Sequence, residues 1–445
     1  KSILASTKVK ASAVKAIGIS GQQHGLVALD RDGKVVRAAK LWCDTSTSSQ
    51  ADALVRKLGG LEKVIQLMGN GIPAGFTASK ILWLKEKEPK NYQATAHILL
   101  PHDYLNYHLT GQMAMEAGDA SGTGLFDTKT RNWCSPAIQA IDSKLQDKLP
   151  QIQDAHLPHG RVAPMLAKRL GLDPETIVSA GGGDNMMSAI GTGNTRPGVV
   201  TASLGTSATL YAYSSRPVID DLGEVAAFCD STGAWLPLIC TMNGTVTTES
   251  VKSLFKLNNE QLTKLSGSVP PGSGGLIMLP YLQGERVPNL PDGKAVYFGL
   301  TTENMNSASM ARAAMEGTAM GLNYGLERMR DMGIRPKEIR LTGGGANNPV
   351  WREIFANVFD SEVVCLKNNE GAAFGAAIQA AWCWRRSQGE NIRIQHLTDA
   401  WVKTDPSTRV KPKKKEMKFY RSLQTVFDNL SKVSSPVFSE LKSVL

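Results

Sequence analysis

The sequence predicts an α/β protein made of two halves, each with a strand, a triple-glycine turn and a helix. In the first half, the short strand at 178–180 leads into Gly181-Gly182-Gly183 and a helix of small residues. In the second, a strand at 337–342 leads into Gly343-Gly344-Gly345 and a helix over 350–359. Open α/β sheets bind ligands at the carboxyl ends of their strands. The repeated unit therefore predicts a ligand site in each half.

The composition is typical of a globular protein with two or three domains. The chain has 445 residues, of which 42% are hydrophobic and 20% charged. Its apolar runs stay below the roughly 18 residues of a membrane span. The six cysteines form no CxxC pair, and the start has no apolar signal core. We therefore expect a reduced, cytoplasmic protein without a membrane partner.

Positive charge is concentrated at the end of the chain. The net charge is +10, and residues 384–445 hold thirteen Lys/Arg against six Asp/Glu. We predict that 386–445 is a basic C-terminal helical or tail segment, centred on the run Lys411-Pro412-Lys413-Lys414-Lys415. Basic runs can bind nucleic acid, but no aromatic or glycine-rich recognition pattern accompanies this one, so a solvated face is the expected interpretation.

Two further strand ends of the first half carry polar clusters. The predicted strand at 14–20 ends in Gly21-Gln22-Gln23-His24, and the predicted strand at 35–42 ends in Trp42-Cys43-Asp44. Polar groups that face a crevice suit a sugar or polyol, because each substrate hydroxyl needs a hydrogen-bond partner. A structural role remains the alternative for His24.

Hydrophobic periodicity and breaker residues predict the remaining elements. We expect helices at 48–68, 78–88, 135–148, 246–266, 308–331 and 371–383, and strands at 98–101, 199–213 (two strands), 224–242 (more than one), 275–281 and 362–365.

Asp184 follows the first triple-glycine turn and precedes a helix. A helix N-terminus favours the ionised form of a carboxylate. An ionised carboxylate at a crevice can accept a proton from a substrate hydroxyl. The alternative is that Asp184 caps the helix, a frequent role for aspartate.

The second half contains two candidate phosphate-binding turns. Ser203-Leu204-Gly205-Thr206-Ser207 makes a tight turn between two strands, where successive N–H groups and hydroxyls could hold phosphate. A plain hairpin turn is the alternative. The second triple-glycine turn opens a helix, which suits a nucleotide. The sequence has no GxxxxGK[ST] motif, and no GxGxxG motif follows a strand, so a P-loop NTPase is excluded and a dinucleotide dehydrogenase is disfavoured.

Ten short motifs in order carry a resemblance to a known family. They are SGQQHG (20–25), LWCDT (41–45), GFTASKILWLKEKEP (75–89), LLPHDYLNYHLTG (99–111), DASGTGLFD (119–127), AGGGDN (180–185), SLGTS (203–207), LPYLQGERVP (279–288), YFGL (297–300) and LTGGGANNPVW (341–351). With these motifs, the chain resembles the FGGY carbohydrate kinases over about residues 15–383.

The resemblance implies two actin-like (ribonuclease-H-like) domains with sugar and ATP in the cleft between them. The expected domains are a sugar-binding N-terminal domain over 1–194 and a nucleotide-binding domain over 195–385. The implied reaction is ATP-dependent phosphorylation of a ketopentose, with D-xylulose first and D-ribulose or another ketose as the alternative. Mg²⁺ and a homodimer are also implied. A non-catalytic sugar- or nucleotide-binding relative is a further alternative.

The resemblance also implies roles for individual residues. Asp184 falls on the catalytic base. The sugar-binding positions are Gln23, His24, Trp42, Asp44 and Asn185, and the nucleotide-binding positions are Gly205, Thr206, Gly344, Gly345 and Asn348. Two positions depart from the family: Gln23 stands where Met is more frequent, and His102 where relatives often have Lys.

A third departure is at the start of the chain. FGGY kinases begin with a hairpin that carries an Asp-x-Gly-Thr motif, which holds phosphate and Mg²⁺, and no such motif precedes residue 15. We therefore expect the chain as given to turn over ATP inefficiently.

Overall fold

The computed structural model describes residues 2–368 and 370–444 and divides them into two compact units. The first unit contains residues 2–196, 213–237 and 370–402, and the second contains 197–212, 238–368 and 403–444. The expected domains were consecutive segments ending at 194, 385 and 445. The chain passes between the two compact units several times, so neither unit is one continuous segment.

The helices are numbered along the chain. They are α1 (Ser2–Thr7), α2 (Ser48–Lys57), α3 (Leu61–Met68), α4 (Thr77–Lys87), α5 (Pro89–Ala94), α6 (Pro101–Thr110), α7 (Ala117–Ala120), α8 (Ser135–Ile141), α9 (Pro164–Leu170), α10 (Asp184–Gly191), α11 (Thr245–Phe255), α12 (Asn259–Ser268), α13 (Ser307–Asp331), α14 (Pro349–Val358), α15 (Gly371–Ser387), α16 (Ile394–Trp401) and α17 (Lys414–Val444). In the described part of the chain, none of them has both the length and the apolar character needed to cross a membrane.

The strands are numbered in the same way. They are β1 (Ala16–Ile17), β2 (Ser20–Gly21), β3 (Val27–Leu29), β4 (His97–Leu99), β5 (Ala114–Glu116), β6 (Phe126–Asp127), β7 (Asn132–Trp133), β8 (Gln151–Gln153), β9 (Pro158–Arg161), β10 (Ile177–Ser179), β11 (Gly182–Gly183), β12 (Val199–Leu204), β13 (Ala208–Ala212), β14 (Ala226–Cys229), β15 (Trp235–Thr241), β16 (Ile277–Pro280), β17 (Ala295–Phe298), β18 (Glu338–Thr342), β19 (Glu362–Leu366) and β20 (Thr404–Val410).

Several predicted elements differ from the structure. The helix expected over 135–148 ends at Ile141 and is followed by a 3-10 turn, and the strand expected over 14–20 is two short strands, β1 and β2. The helix expected over 48–68 is two helices, because Gly59 and Gly60 have φ of 94° and 99°, in the left-handed region that ends a helix. The helix expected over 246–266 is likewise two, α11 and α12, divided at Lys256, whose φ is 53°.

The strand expected over 35–42 is absent, and that prediction was wrong. Val35 makes a single bridge to Leu29, the last residue of β3, and Lys40 makes one to Leu26, just before β3. These two bridges are out of register with each other, so a continuous ladder cannot form. The segment is therefore an irregular partner of β3.

Parallel pairing in the first unit brings two polar strand ends together. β1 pairs with β10, and β2 pairs with β11, where Ser20 lies opposite Gly182 and Gly21 opposite Gly183. Because the strands are parallel, their carboxyl ends lie on the same side. Gln23 and His24 therefore leave the sheet beside Asp184.

Helix α15 packs on α10 and against the first glycine turn, residues 181–183. A β-carbon on Gly375 would lie 1.7 Å from the Met187 carbonyl oxygen, so only glycine permits this contact. Gln379 Oε1 accepts hydrogen bonds from Ser179 Oγ and from Gly181 N, both at 2.9 Å. These contacts explain why α15 belongs to the first unit.

The second unit is built on a sheet that contains the strand order β15-β13-β12-β18-β19-β20. β12 is parallel to β18, and β18 is parallel to β19. Helix α13 packs close to this core, since a β-carbon on Gly325 would lie 2.2 Å from Ile239 Cδ1. The ends of β12 and β18 carry the two glycine turns of this unit.

The basic C-terminal segment is divided between the units: its residues up to 402 belong to the first unit, and those from 403 to 444 belong to the second. Helix α17 buries Tyr420, Phe427 and Phe438. Tyr420 donates a hydrogen bond to Glu316 Oε1 at 2.7 Å, within a buried network that includes Arg312. The exposed lysines therefore lie on the outer side of a packed helix.

Candidate active site

The first unit joins three of the expected site residues by hydrogen bonds. Asn185 Nδ2 donates to Gln23 Oε1 at 2.8 Å and to Asp184 Oδ1 at 3.2 Å. The Asn185 backbone N–H also donates to Asp184 Oδ1, at 2.9 Å. We call Gln23, Asp184 and Asn185 the polar triad. Parallel pairing of β2 with β11 is what brings its members together.

Asp184 is the first residue of α10 rather than its cap. The position before it, Gly183, has extended backbone angles and begins the helix. The Asp184 side chain reaches solvent, but crowding by protein atoms raises its pKa, against the opposing hydrogen bond from the Asn185 N–H. A carboxylate with a raised pKa is a stronger proton acceptor. This arrangement suits a general base better than a capping residue.

His24 is held in a defined orientation. Its φ of 64° is unusual for a residue other than glycine. Its Nδ1 lies 2.6 Å from the Gly122 carbonyl oxygen, which can only accept, so Nδ1 carries the proton. The ring also stacks on Phe76, with centroids 4.4 Å apart. In the neutral ring, Nε2 is then the acceptor nitrogen, which suits a hydroxyl donor.

Lys80 is hydrogen-bonded to the backbone of His24, and the sequence did not predict it as a site residue. It is fully buried, and its Nζ donates to the carbonyl oxygens of His24 at 2.8 Å and Gly75 at 2.6 Å. Burial lowers the pKa of Lys80 to about 8. The sequence feature that could have indicated this role is a lysine among the apolar and small residues of α4.

In the described part of the chain, neither Trp42 nor Asp44 is hydrogen-bonded to the polar triad. Asp44 Oδ2 accepts from Lys40 Nζ at 2.7 Å, and this lysine holds the pKa of Asp44 well below its usual range. Trp42 is 46% exposed, and its carbonyl oxygen would lie 2.9 Å from a β-carbon on Gly75. Their expected contact with a sugar remains a prediction.

A buried group of charged residues lies behind the polar triad. His102 Nδ1 lies 2.6 Å from Asp119 Oδ2, and His102 Nε2 lies 3.0 Å from Asp103 Oδ1. Glu116 accepts backbone hydrogen bonds from Gly118 at 2.7 Å and Asp119 at 2.6 Å. His102, Asp103, Glu116 and Asp119 are each at most 1% exposed. We call these four the buried charge cluster.

Burial and mutual charge shift the pKa values of this cluster. Burial opposes the charged form of His102, but Asp103 and Asp119 outweigh it and raise the His102 pKa well above 6.5. Burial raises the pKa of Glu116 to about 8 and that of Asp119 to about 6, with His102 opposing both shifts. His102 is therefore protonated at neutral pH. The sequence showed these residues but not their proximity.

The second unit brings its two glycine turns together. A β-carbon on Gly343 would lie 2.6 Å from the Leu204 carbonyl oxygen, and one on Gly345 would lie 3.0 Å from Leu204 Cβ. Gly344 faces open space, with no atom within 4 Å of such a β-carbon. The turn at Gly205 therefore lies beside the turn at 343–345, as parallel β12 and β18 require.

Backbone hydrogen bonds hold the first of these turns. Gly205 O accepts from Thr245 N at 2.8 Å, and Thr206 O accepts from Gly244 N at 2.9 Å. Both Gly205 and Thr206 are exposed. The carbonyl groups of Gly205 and Thr206 therefore hold this turn against the start of α11. The exposed side of the turn remains accessible.

Asn348 has a structural role at the start of α14. Its Oδ1 accepts hydrogen bonds from Val350 N at 3.0 Å and Trp351 N at 3.1 Å, and its Nδ2 donates to Thr263 Oγ1 at 2.9 Å. These bonds are those of a helix cap. A nucleotide contact from Asn348 would have to coexist with this capping role.

Within the described residues, no three His, Cys, Asp or Glu side chains lie together in a way that could hold a metal ion. Magnesium in kinases is usually bound through substrate phosphates and one or two carboxylates. A magnesium ion bound in this way belongs to the nucleotide substrate.

The fold and the site define a class of protein. Two α/β units, a carboxylate within a polar triad and a pair of adjacent glycine turns suit an enzyme that phosphorylates a sugar. Family models agree: residues 1–191 match the N-terminal domain of the FGGY family of carbohydrate kinases, and residues 200–384 match its C-terminal domain. The chain belongs to the FGGY family of carbohydrate kinases. ATP is accordingly the expected phosphoryl donor.

Individual relatives support this assignment. The chain is 43% identical to the xylulose kinase of Haemophilus influenzae, over 92% of this chain and 82% of the relative. It is 30% identical to the solved xylulose kinase of Bifidobacterium adolescentis, with a TM-score of 0.82, over 94% and 89% of the two chains. The gluconate kinase of Lactobacillus acidophilus has a TM-score of 0.90 at 22% identity, over 98% and 87%, and shows the fold alone. The expected two-domain fold is confirmed.

Proposed function

We propose that this chain transfers the γ-phosphoryl group of ATP to D-xylulose and forms D-xylulose 5-phosphate. The observation that carries the proposal is that Asn185 Nδ2 donates hydrogen bonds to both Gln23 Oε1 and Asp184 Oδ1. Asn185 thereby links Gln23, an amide suited to a sugar hydroxyl, to Asp184, the proposed base. The similarity to a xylulose kinase at 43% identity supports the choice of sugar. Fold alone does not decide it, since a gluconate kinase has a similar fold.

The first unit supplies the sugar contacts in this proposal. Gln23, His24 and Asn185 offer amide and imidazole groups to the sugar hydroxyls, and Trp42 and Asp44 line the outer part of the pocket. A site that hydrogen-bonds specific hydroxyls rejects sugars that lack them, because its own polar groups are then left unpaired. The domain over 1–194 is accordingly proposed as sugar-binding.

Asp184 acts as the general base in the proposed reaction. It accepts the proton of the terminal sugar hydroxyl while the hydroxyl oxygen forms a bond to the γ-phosphorus. The bond from that phosphorus to the β–γ bridging oxygen breaks, and ADP leaves with the electron pair. The raised pKa of Asp184 favours this proton transfer.

The second unit supplies the nucleotide contacts. Gly205, Thr206 and Gly344 present exposed backbone to phosphate or ribose, Gly345 is buried beside them, and Asn348 fixes the helix that follows. Positioning and electrostatics provide most of the rate in phosphoryl transfer. Mg²⁺, bound to the ATP phosphates, would neutralise part of their charge. The domain over 195–385 is proposed as nucleotide-binding, and a homodimer is proposed for the whole chain.

A coupled assay of ADP release tests the proposal. The chain is mixed with MgATP and, in separate reactions, D-xylulose, D-ribulose, D-gluconate or no sugar. The expected result is that D-xylulose gives the highest kcat/KM. A higher kcat/KM with D-ribulose would replace the sugar assignment. Sugar and nucleotide binding by calorimetry without ADP release would instead favour a non-catalytic relative.

A further inference from the structure

Residues 242–244 connect β15 to α11 and pack directly on the turn at Gly205. We call them the β15–α11 connection. Gly244 N donates to Thr206 O at 2.9 Å, and Thr245 N, the next residue, donates to Gly205 O at 2.8 Å. A β-carbon on Gly244 would lie 2.5 Å from Gly205 O, so the connection and the turn are in close contact. A displacement of the connection would therefore displace the turn.

The carboxyl group of Glu285 holds this connection at two points. Its Oε1 accepts a hydrogen bond from Met242 N at 2.6 Å, and its Oε2 accepts one from Asn243 Nδ2 at 2.9 Å. Glu285 is 3% exposed and Asn243 is 2% exposed. Because these groups are shielded from solvent, water cannot readily replace a bond that is lost, and an unpaired buried donor is costly.

Two acceptors set the orientation of the Asn243 amide. Its Nδ2 donates to Gly284 O at 2.7 Å as well as to Glu285 Oε2. Within the residues that the structure describes, Asn243 Oδ1 makes no hydrogen bond. A reversed amide would place Oδ1 against two oxygen atoms. The observed orientation is therefore the one that satisfies both acceptors.

The loop that carries Glu285 fixes the position of its carboxyl group. Glu285 N donates to Leu290 O at 2.8 Å, and Leu290 N donates to Glu285 O at 3.0 Å. Arg286 N donates to Glu285 Oε1 at 2.8 Å. Burial raises the pKa of Glu285, and the hydrogen bonds from Asn243, Met242 and Arg286 oppose that shift. In each of these contacts a carboxyl oxygen of Glu285 is the acceptor.

We propose that Glu285 is a positioning residue of the nucleotide site, which holds the turn at Gly205 and Thr206 through the β15–α11 connection. All of these residues belong to the second unit. Glu285 acts through the connection and does not touch the nucleotide. When its acceptor atoms are lost, Gly244 and Thr245 move away from the carbonyl groups of the turn, and ATP binds more weakly. The assignment of ATP to this turn rests on the proposed function.

Glu285→Gln tests this role, and Glu316→Gln is its matched control. Gln keeps the size of Glu but replaces one acceptor oxygen with an NH₂ group, which then faces a donor at Met242 or Asn243. Glu316 is also buried in the second unit, at 1% exposure. It accepts a backbone hydrogen bond as well, from Gly272 N at 3.0 Å. The control therefore removes a comparable buried acceptor from a different loop.

Calorimetry with MgATP and with D-xylulose gives the first readout. We expect Glu285→Gln to weaken ATP binding about tenfold, the effect of one to two net hydrogen bonds, and D-xylulose binding by less than about twofold. Glu316→Gln lowers the unfolding temperature but leaves both affinities unchanged. An equal loss of ATP affinity in Glu316→Gln would mean a general effect of lowered stability and would overturn the proposal. Native ATP affinity in Glu285→Gln would do the same.

Hydrogen exchange followed by mass spectrometry gives a second readout, which needs no nucleotide. In peptides that cover 242–250, we expect the Gly244 and Thr245 amides to exchange about tenfold faster in Glu285→Gln than in the native chain, with β18 unchanged as the reference. Unchanged exchange at both amides would overturn the proposal. Faster exchange in the variant, together with a native chain that fails to bind ATP, would count against the proposed function alone.

Asn243→Ala decides the question if Glu285→Gln does not fold. This variant removes the side-chain donor but keeps the bond from Met242 N to Glu285 Oε1. We expect faster exchange at Gly244 and Thr245 and a loss of ATP affinity of about threefold, because one of the two attachments remains. Native exchange at these two amides in Asn243→Ala would overturn the proposal.

Discussion

Asn185 donates a hydrogen bond to Gln23 across 162 positions of sequence, at 2.8 Å. The same side chain lies 3.2 Å from Asp184 Oδ1, so one amide connects Gln23, a proposed sugar contact, to Asp184, the proposed base. This connection exists because β2 and β11 run parallel and end together.

Replacement of Asn185 by Leu tests the connection. Leu has a similar size but no donor, so Gln23 and Asp184 both lose a hydrogen bond. We expect the KM for D-xylulose to rise about tenfold, as for the loss of one to two net hydrogen bonds, with the KM for ATP unchanged. Ser188→Ala, on the same helix, is the control and leaves both constants unchanged. Equal rises in the two KM values for Asn185→Leu would contradict the assignment to the sugar site.

Substitutions at two neighbouring glycines distinguish an effect on nucleotide binding from an effect on stability. Gly344 has open space where a β-carbon would be added, so Gly344→Ala keeps the unfolding temperature but raises the KM for ATP by intruding on the bound nucleotide. Gly343 has a φ of 81° and no room beside Leu204. Gly343→Ala therefore lowers stability by roughly 1–3 kcal/mol. An unchanged ATP KM in Gly344→Ala would remove this residue from the proposed site.

The buried charge cluster makes stability depend on pH. The folded-state pKa values of His102 and Glu116 are raised, the latter to about 8 from 4.5, so the folded chain holds protons that the unfolded chain releases. Stability therefore falls as pH rises from about 6.5 to 8. Lys80, whose pKa is lowered to about 8, acts in the opposite direction only above that value.

Thermal unfolding between pH 6.5 and 8 measures this effect. We expect the unfolding temperature of the native chain to decrease over this range, and the decrease to be smaller in Glu116→Gln. A native unfolding temperature that increases over the same range would show that the cluster does not hold these protons.

The hydrogen bonds of Tyr420 with Glu316 and Arg312 predict that removal of the Tyr420 hydroxyl destabilises the second unit. Tyr420 OH donates to Glu316 at 2.7 Å and accepts from Arg312 at 3.1 Å. Tyr420→Phe leaves these buried charged groups with one partner fewer and lowers the free energy of unfolding by about 1–3 kcal/mol. Val433→Ala, on an exposed position of the same helix (67% exposed), has little effect. Equal stability of Tyr420→Phe and the native chain in urea would exclude a stabilising role for the hydroxyl.

Local sequence patterns were sufficient for the main elements of the fold. Both strand–glycine–helix units are present, and the pattern around Asp184 located a residue that the structure joins to Gln23 and Asn185. Such units are encoded by neighbouring residues, since glycines fix the turn and apolar periodicity fixes the helix. The resemblance to the FGGY carbohydrate kinases then predicted one function for these local units.

Contacts between distant segments could not be predicted in this way. His102 and Asp119 are 17 positions apart, and the packing of α6 and α7 against the same strands, β5 and β11, places them 2.6 Å from each other. Asp44 looked like a free strand-end carboxylate, but it is paired with Lys40. The segment at 35–42 has the composition of a strand, but its register slips beside β3.

Turnover of the Asp184→Asn variant is the most direct test of the central claim. The native chain and the variant are compared for ADP release with MgATP and D-xylulose, with unfolding temperatures and ATP affinity as controls. Asn keeps the shape and the acceptor for the Asn185 N–H but cannot take a proton. We expect normal folding and ATP affinity with kcat reduced by about 10²–10⁴-fold, the usual contribution of a general base. Near-native turnover of Asp184→Asn would contradict the assignment of Asp184 as the base of a sugar kinase.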